Sequence, residues 1–200
     1  MFIELTEILK CPRDHGESYL VAAPMAMDGR RIVRGAVGCP ECHAEYPIVD
    51  GVVYFGPRAT APAETPAPAG PVYGADGLAA MLNLGGPGGY VALVGRAARV
   101  GSDLLALVPG VHVVAVNPPP GVMPQAMLSV LECPHGLPLK TAQLRAVALG
   151  ADQAGEPWLG EALRVLLPGL RLVIEDEAAA PAGVAELARG AGMFVGVRER

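Results

Sequence analysis

The sequence predicts an α/β protein in which a Rossmann-like, mainly parallel sheet follows a small β-rich zinc-knuckle domain. The first observation behind this prediction is that short, β-branched apolar runs alternate with helical patterns over residues 73–200. Runs that are apolar on both faces and interleaved with helices are typical of parallel sheets covered on both sides. The second observation is that three of the four cysteines lie in the first quarter of the chain, in or beside Cys-Pro turns.

A stretch rich in proline and alanine divides the chain. Ten of the fifteen residues at 57–71 are proline or alanine. Proline lacks the amide proton that a sheet requires, and such a composition favours extended polyproline geometry. We therefore expect a zinc-knuckle domain over residues 1–56, a semi-rigid linker over residues 57–72 and a second domain over residues 73–200.

The first domain is predicted to contain one short helix and four strands. The apolar positions of residues 2–9 suit a short helix that packs against the cysteine turns. Strand-like runs follow at residues 18–22, 31–37, 44–48 and 52–55. The Asp50-Gly51 dipeptide between the last two runs is a strong hairpin signal.

The second domain is predicted to alternate helices and strands. Helical patterns occur near residues 76–84, 102–108, 157–167 and 182–189. Apolar runs typical of buried strands occur at residues 90–94, 111–116, 128–131, 145–149, 170–174 and 193–197. These patterns predict a sheet of six strands, with little chain left after the sixth.

Composition and charge exclude several classes of function. A hydrophobic fraction of 52% excludes a disordered chain. The net charge of -5 repels phosphate backbones, so we expect no direct nucleic-acid binding. No uninterrupted apolar run reaches the roughly 18 residues that a membrane span needs. The first apolar stretch carries acidic residues and no basic start, which argues against a signal peptide, so we expect a cytoplasmic protein.

Three cysteines of the first domain predict a structural zinc site. Cys39 and Cys42 form a Cys-Pro-Glu-Cys turn, and Cys11 opens a second turn that begins Cys-Pro. Two such turns are how a small β-rich module holds one tetrahedral zinc ion. In a reducing compartment, metal binding explains these cysteines better than disulfides do.

The fourth zinc ligand is open between two candidates. Asp14 stands at the spacing at which a cysteine would complete the first turn, so its position favours it. His15 is the better zinc donor by its chemistry. His43 is a third and weaker candidate.

Three segments of the first domain resemble the tRNA-methyltransferase activator subunits and their bacterial relatives. The segments read Glu7-Ile8-Leu9-Lys10-Cys11-Pro12, then Cys39-Pro40-Glu41-Cys42, then Tyr46-Pro47-Ile48-Val49-Asp50-Gly51-Val52. The resemblance covers residues 2–55 and implies a zinc module that stabilises a methyltransferase by docking on the edge of its sheet. Two positions depart from the family pattern: Asp14 replaces the usual cysteine, and Val53 replaces a frequent proline.

A nucleoside cofactor in a parallel sheet requires glycines after the first strand and an acid at the end of the second. Only Gly95 stands where a glycine belongs, since Ala97 and Arg99 occupy the next two places. We expect their bulk to keep the main chain away from a cofactor. The second strand ends in Asn117, which can hydrogen-bond to a ribose but lacks a carboxylate.

The second domain nevertheless resembles class I S-adenosylmethionine-dependent methyltransferases. The resemblance is clearest over residues 137–175, which contain a Leu-Pro-Gly turn between a helix and the fifth strand. It implies that Gly95, Asn117 and Glu132 would surround S-adenosylmethionine if the cofactor binds. No motif for a catalytic residue is found.

These observations support two functions of different classes. The preferred hypothesis is a non-catalytic, methyltransferase-like scaffold that carries a structural zinc module and acts through contacts with a protein partner or a second copy. The rival hypothesis is an active methyltransferase with a divergent cofactor pocket.

Overall fold

The computed structural model describes residues 1–57, 72–179 and 181–200. The first domain consists of a 3-10 helix, Ile3–Glu7, and the strands β1 (Val21–Asp28), β2 (Arg31–Gly38), β3 (Glu45–Val49) and β4 (Val52–Tyr54). The predicted short helix and the last three strands are confirmed, whereas β1 shares only two residues with the predicted run at 18–22 and continues to Asp28. Residues 58–71 of the predicted linker lie outside the described residues.

The predicted hairpin turn at Asp50-Gly51 is also confirmed. Both residues have positive φ, 52° and 82°, between the antiparallel strands β3 and β4. Two central residues with positive φ match the right-handed twist of the flanking strands. The turn therefore sets the direction in which β4 leaves the first domain.

The second domain contains three α-helices, two 3-10 helices and seven strands within its described residues. The α-helices are α1 (Ala75–Met81), α2 (Gly101–Leu107) and α3 (Trp158–Val165). The strands are β5 (Tyr90–Val94), β6 (His112–Val116), β7 (Leu128–Glu132), β8 (Leu144–Leu149), β9 (Leu166–Ile174), β10 (Val184–Gly190) and β11 (Met193–Arg198). Each predicted strand is present, and three of the four predicted helices are confirmed.

The predicted helix over residues 182–189 is wrong, because this segment forms β10. Its alanine, glutamate, leucine and arginine residues favour a helix in isolation. The next two residues, Ala191 and Gly192, have φ values of 52° and 76° and turn the chain back into β11. Antiparallel pairing across this turn overrides the local propensity and adds a seventh strand.

All described strands belong to one sheet, in the order β1-β2-β3-β4-β7-β6-β5-β8-β9-β11-β10. Pairing is parallel from β4 through β7, β6, β5 and β8 to β9, whereas β11 runs antiparallel to both of its neighbours. The sheet as a whole is mixed, and the part formed by β5 to β11 is the mainly parallel α/β sheet that the alternating pattern predicted. Strands β1 to β4 of the first domain belong to the same sheet.

The two domains meet where β4 pairs with β7. Val52, Val53 and Tyr54 are register partners of Val130, Leu131 and Glu132. Further along the junction, the backbone N–H of Lys10 donates to the Pro138 carbonyl at 2.9 Å, and the N–H of Lys140 donates to the Ile8 carbonyl at 2.8 Å. These bonds extend the junction beyond the paired strands.

The core lies on both faces of the shared sheet. One buried cluster joins α1 and α2 with one face of β5, β6 and β8. The other cluster combines α3 with residues of the first domain, among them Leu5, Leu9 and Val53. Because a single apolar cluster spans both domains, the first domain covers sheet surface that would otherwise face water.

Candidate functional site

Backbone hydrogen bonds shape the two cysteine turns of the first domain. The N–H of Cys11 donates to the Ser18 carbonyl at 2.9 Å, which closes the first loop. The N–H of Cys39 donates to the Ala44 carbonyl at 2.9 Å, and the N–H of His43 donates to the Cys39 carbonyl at 3.0 Å. Backbone hydrogen bonds therefore close each loop around its cysteine.

Four side chains converge between these turns. The ligand atoms of Cys11, His15, Cys39 and Cys42 all lie within 4.8 Å of one another. The Sγ atoms of Cys11 and Cys42 are 3.7 Å apart, and Cys39 Sγ lies 3.5 Å from His15 Nε2. Tetrahedral zinc with ordinary bond lengths separates two sulfurs by about 3.8 Å and a sulfur from a nitrogen by about 3.6 Å. The donor set and its spacing fit zinc.

The orientation of His15 is set from the far side of its ring. Nδ1 lies 2.9 Å from the Gly16 carbonyl and 3.3 Å from a carboxylate oxygen of Glu41. A proton on Nδ1 that bonds to these acceptors leaves Nε2 free to coordinate a metal. Asp14 and His43, the other two candidates for the fourth ligand, are not members of the converging group.

The thiols of the group differ in acidity. Burial works against ionisation of Cys39, but hydrogen bonds from the backbone N–H groups of Cys42 and Glu41 outweigh it and lower its pKa to about 6. Burial raises the pKa of Cys11, against the effect of the Tyr46 hydroxyl, which lies 3.4 Å from its Sγ. A metal ion requires the thiolate form, and the Cys39 environment favours that form.

The predicted cofactor residues Gly95, Asn117 and Glu132 lie at a different place, the carboxyl ends of β5, β6 and β7. Because these strands are parallel neighbours, the three residues share one edge of the sheet. Glu132 is half-buried, and burial raises its pKa. The surroundings of Gly95 and Asn117 decide whether this crevice has room for a nucleoside.

Gly95 is packed against the chain itself. It has a φ of 62° and begins a 3-10 helix, Gly95–Val100. The N–H of Arg96 donates to Asp152 Oδ1 at 2.9 Å, and a Cβ built on Gly95 would lie 2.5 Å from the same oxygen. A Cβ on Gly150, after β8, would lie 2.8 Å from the Arg96 side chain. The close approach that glycine permits here is taken by Asp152.

The side chain of Asn117 is hydrogen-bonded to Cys133, the residue that follows the neighbouring strand β7. Its Nδ2 donates to the Cys133 carbonyl at 2.8 Å, and its Oδ1 accepts from the Cys133 N–H at 2.7 Å. Its φ of 47° lies in the left-handed region that asparagine tolerates. Both halves of the side-chain amide are therefore bonded within the chain.

A buried ion pair completes this edge. Arg96 donates to Glu175, whose side chain is fully buried, and the Ala151 N–H donates to the same carboxylate at 3.1 Å. Among the described residues, Glu175 Oε1 and the Tyr73 hydroxyl have no hydrogen-bond partner. Burial raises the pKa of Tyr73, and the charge of Glu175 raises it further.

The sequence analysis did not single out Asp152 or Glu175 as site residues. Glu175 directly follows β9, and Asp152 lies three residues beyond the end of β8. The sequence could have indicated both residues, because each is an acid that follows a predicted parallel strand. The carboxyl ends of parallel strands meet at one edge of the sheet, so such acids are expected to lie near a cofactor crevice.

Residues 3–51 match the family model described as Trm112p-like protein. The first domain is Trm112p-like. The matched segment contains Cys11, His15, Cys39 and Cys42, so the whole converging group belongs to the Trm112p-like domain. The resemblance of this domain to methyltransferase activator subunits is confirmed.

Several solved structures are similar to larger parts of the chain. One belongs to a complex that contains the Haloferax volcanii Trm112 methyltransferase activator; it is 13% identical, with 63% of this chain and 94% of that chain covered and a TM-score of 0.44. Another is the antibiotic-resistance methyltransferase Kmr, 13% identical, with 67% and 97% covered and a TM-score of 0.45. A third, a SAM-dependent methyltransferase from Aquifex aeolicus, is 15% identical, with 61% and 87% covered and a TM-score of 0.44.

No curated protein matches the chain. Within residues 1–57, 72–179 and 181–200, no helix combines the length and apolar character needed to cross a membrane.

Proposed function

We propose that this chain is a non-catalytic, methyltransferase-like scaffold whose Trm112p-like domain caps the edge of its own sheet. The observation that carries the proposal is the state of Asn117, whose amide nitrogen and amide oxygen each bond to the backbone of Cys133. Cofactor sites of this kind hold the ribose hydroxyls with a carboxylate at that position, whereas here an amide stands there and is engaged by the chain itself. Asp152 supports the proposal further, because its carboxylate lies where the main chain at Gly95 would approach a cofactor.

Zinc has a structural role in this proposal. Three cysteine thiolates and His15 would complete a four-coordinate site, which leaves no open position for a substrate. The site joins the loop before β1 to the turn between β2 and β3, and β4 pairs with β3. A bound ion would fix the two loops relative to each other and hold β4 in place for pairing.

The docking of β4 on β7 supports a scaffold role for the first domain. The activator family is expected to stabilise a methyltransferase by binding the edge of its sheet, and here the edge strand β7 is covered by β4 of the same chain. Covering an edge removes unpaired N–H and C=O groups from solvent. The protein would then use its remaining surfaces for a protein partner or a second copy.

Calorimetric titration with S-adenosylmethionine and S-adenosylhomocysteine tests the proposal. The zinc-loaded full-length chain is titrated with each compound at concentrations up to the millimolar range. We expect no saturable heat. Binding with a micromolar Kd would overturn the proposal, and a cooperative unfolding transition of the same sample establishes that the chain was folded.

An active methyltransferase with a divergent pocket is the second candidate. It is favoured by Glu175 Oε1 and the Tyr73 hydroxyl, two of the five buried side-chain atoms that lack a hydrogen-bond partner among the described residues, because buried polar groups are normally hydrogen-bonded. Incubation with methyl-labelled S-adenosylmethionine and cell extract tests it. Label transferred to any component, above a heat-inactivated control, would support this function against the scaffold.

A further inference from the structure

A cavity of about 240 Å³ lies between the Trm112p-like domain and the turn that follows β7. Tyr46 and Phe55 line it from the first domain, and Cys133 and His135 line it from the second. Arg13 is also a lining residue and is exposed. This cavity borders the metal site, since the Tyr46 hydroxyl lies 3.4 Å from Cys11 Sγ, but none of the four converging ligands lines it. Gly95 and Asn117 are not lining residues either, so neither proposed role accounts for the cavity.

The topology explains why a cavity forms there. Because β4 runs parallel to β7, the carboxyl ends of both strands point to the same side. Phe55 follows β4 directly and Cys133 follows β7 directly. In open parallel sheets, ligands bind in the crevice outside the carboxyl ends of the strands. Pairing of the two domains therefore creates a second crevice of the kind that binds ligands.

The walls of the cavity are held by close packing. A Cβ built on Gly56 would lie 2.6 Å from the Pro134 ring, so glycine is required for the approach of the two strand exits. The amide of Asn117 fixes the backbone of Cys133 on both sides. Walls fixed in this way need little reorganisation when a ligand enters.

The cavity has an aromatic part and a polar part. The rings of Tyr46 and Phe55 are both buried, and their centroids are 4.8 Å apart. Arg13 and His135, by contrast, are exposed polar residues, and both can donate N–H groups. A ligand that complements both parts has a flat apolar body and a negatively charged end.

We propose that this inter-domain cavity binds a small aromatic carboxylate, with its ring against Tyr46 and Phe55 and its carboxylate on Arg13. The guanidinium of arginine matches a carboxylate through two parallel hydrogen bonds. The volume is below the roughly 300 Å³ at which pockets for drug-sized ligands begin, which suits a single ring. The cavity requires neither a methyl donor nor catalysis, so it stands apart from the scaffold proposal.

Titration of the zinc-loaded full-length protein with benzoate tests this site, with heat and ligand-observed NMR as readouts. Benzamide has the same ring without the charge, and acetate has the charge without the ring. We expect saturable binding of benzoate and at least about tenfold weaker binding of both other compounds, because a charge-assisted bond and ring burial each contribute. Equal binding of benzoate and acetate would overturn the proposal, as would no binding of benzoate.

Two variants of lining residues and one control variant test where benzoate binds. Arg13→Ala is expected to weaken benzoate binding about tenfold or more. Arg34→Ala, which removes an exposed arginine of β2 that does not line the cavity, is expected to leave it unchanged. Equal losses in both variants would indicate general attraction to a cationic surface and overturn the assignment. His135→Ala provides a second variant, and its binding should fall while the unfolding midpoint stays constant.

Discussion

Val53 of β4 and Leu131 of β7 are register partners in a parallel pair, and neither side chain is exposed. Without β4, β7 would be the edge strand of the second domain's sheet, and its outer backbone groups would face solvent. An exposed edge is a site for unwanted pairing with other chains. The Val53–Leu131 pair therefore links the stability of the second domain to the presence of the first.

The variant Val53→Asp tests this link. A carboxylate placed at this buried position has no partner, and we expect it to lower the free energy of unfolding by about 3 kcal/mol or more. Met25→Asp is the matched control on β1, because Met25 is 80% exposed. Its effect should remain within about 0.5 kcal/mol. Urea denaturation measures both, and similar losses in the two variants would contradict the proposed role of the β4–β7 pair.

The variant Asn117→Asp tests whether the crevice has been converted to a structural use. Aspartate restores a carboxylate but cannot donate to the Cys133 carbonyl, so we expect a loss of about 1–3 kcal/mol in stability and no binding of S-adenosylmethionine. Asn83→Asp is the control, because Asn83 is exposed and also has a positive φ, 55°. If Asn117→Asp gained cofactor binding at unchanged stability, the crevice would be a cofactor site that lacks only its acid.

The sequence pattern was sufficient to predict the parallel strands at the centre of the sheet. It was not sufficient to predict β10 at one edge or the pairing of β4 with β7 on the other side. The strands β5 to β8 and the last three residues of β9 are buried, so their apolar runs are continuous and easily recognised. The segment of β10 is largely exposed and composed of helix-forming residues, and only the Ala191-Gly192 turn indicates a hairpin. The pairing of β4 with β7 is a contact between distant segments, and no local pattern encodes it.

At the candidate sites, residue types could be predicted but partners could not. The spacing of Cys39 and Cys42 indicated a metal turn, yet spacing alone favoured Asp14 over His15. The choice depends on loop geometry, which turns the His15 ring toward Cys39 Sγ. The bonding of Asn117 to Cys133 likewise depends on which strands are neighbours.

Substitution of the two fourth-ligand candidates distinguishes them by zinc affinity. We expect His15→Ala to weaken zinc binding more than about 100-fold, since loss of a direct ligand should exceed the 10–100-fold typical of outer-shell changes. Asp14→Ala should have little effect, because Asp14 is not among the converging ligands. Competition with a chromogenic chelator measures both affinities. A larger loss in Asp14→Ala would contradict the His15 assignment.

Acid should destabilise the protein through His112. This residue is 4% exposed, and its Nε2 lies 3.0 Å from Ser129 Oγ, which accepts the N–H of Phe2 at the domain junction. Burial lowers the pKa of His112 from 6.5 to about 4, although the charge of Glu4 works in the opposite direction. The folded state thus favours the neutral ring, and its stability contribution is complete above the unfolded pKa.

That contribution should be lost as the pH falls from about 6.5 toward 4. Between pH 7 and pH 5 we expect His112 to remove about 2 kcal/mol from the free energy of unfolding, because the unfolded state takes up the proton first. His112→Leu abolishes this proton uptake while preserving bulk, and the zinc ligands, which also respond to acid, are unchanged in it. The difference in urea stability between wild type and variant at each pH therefore isolates His112. Parallel pH profiles for the two proteins would refute the prediction.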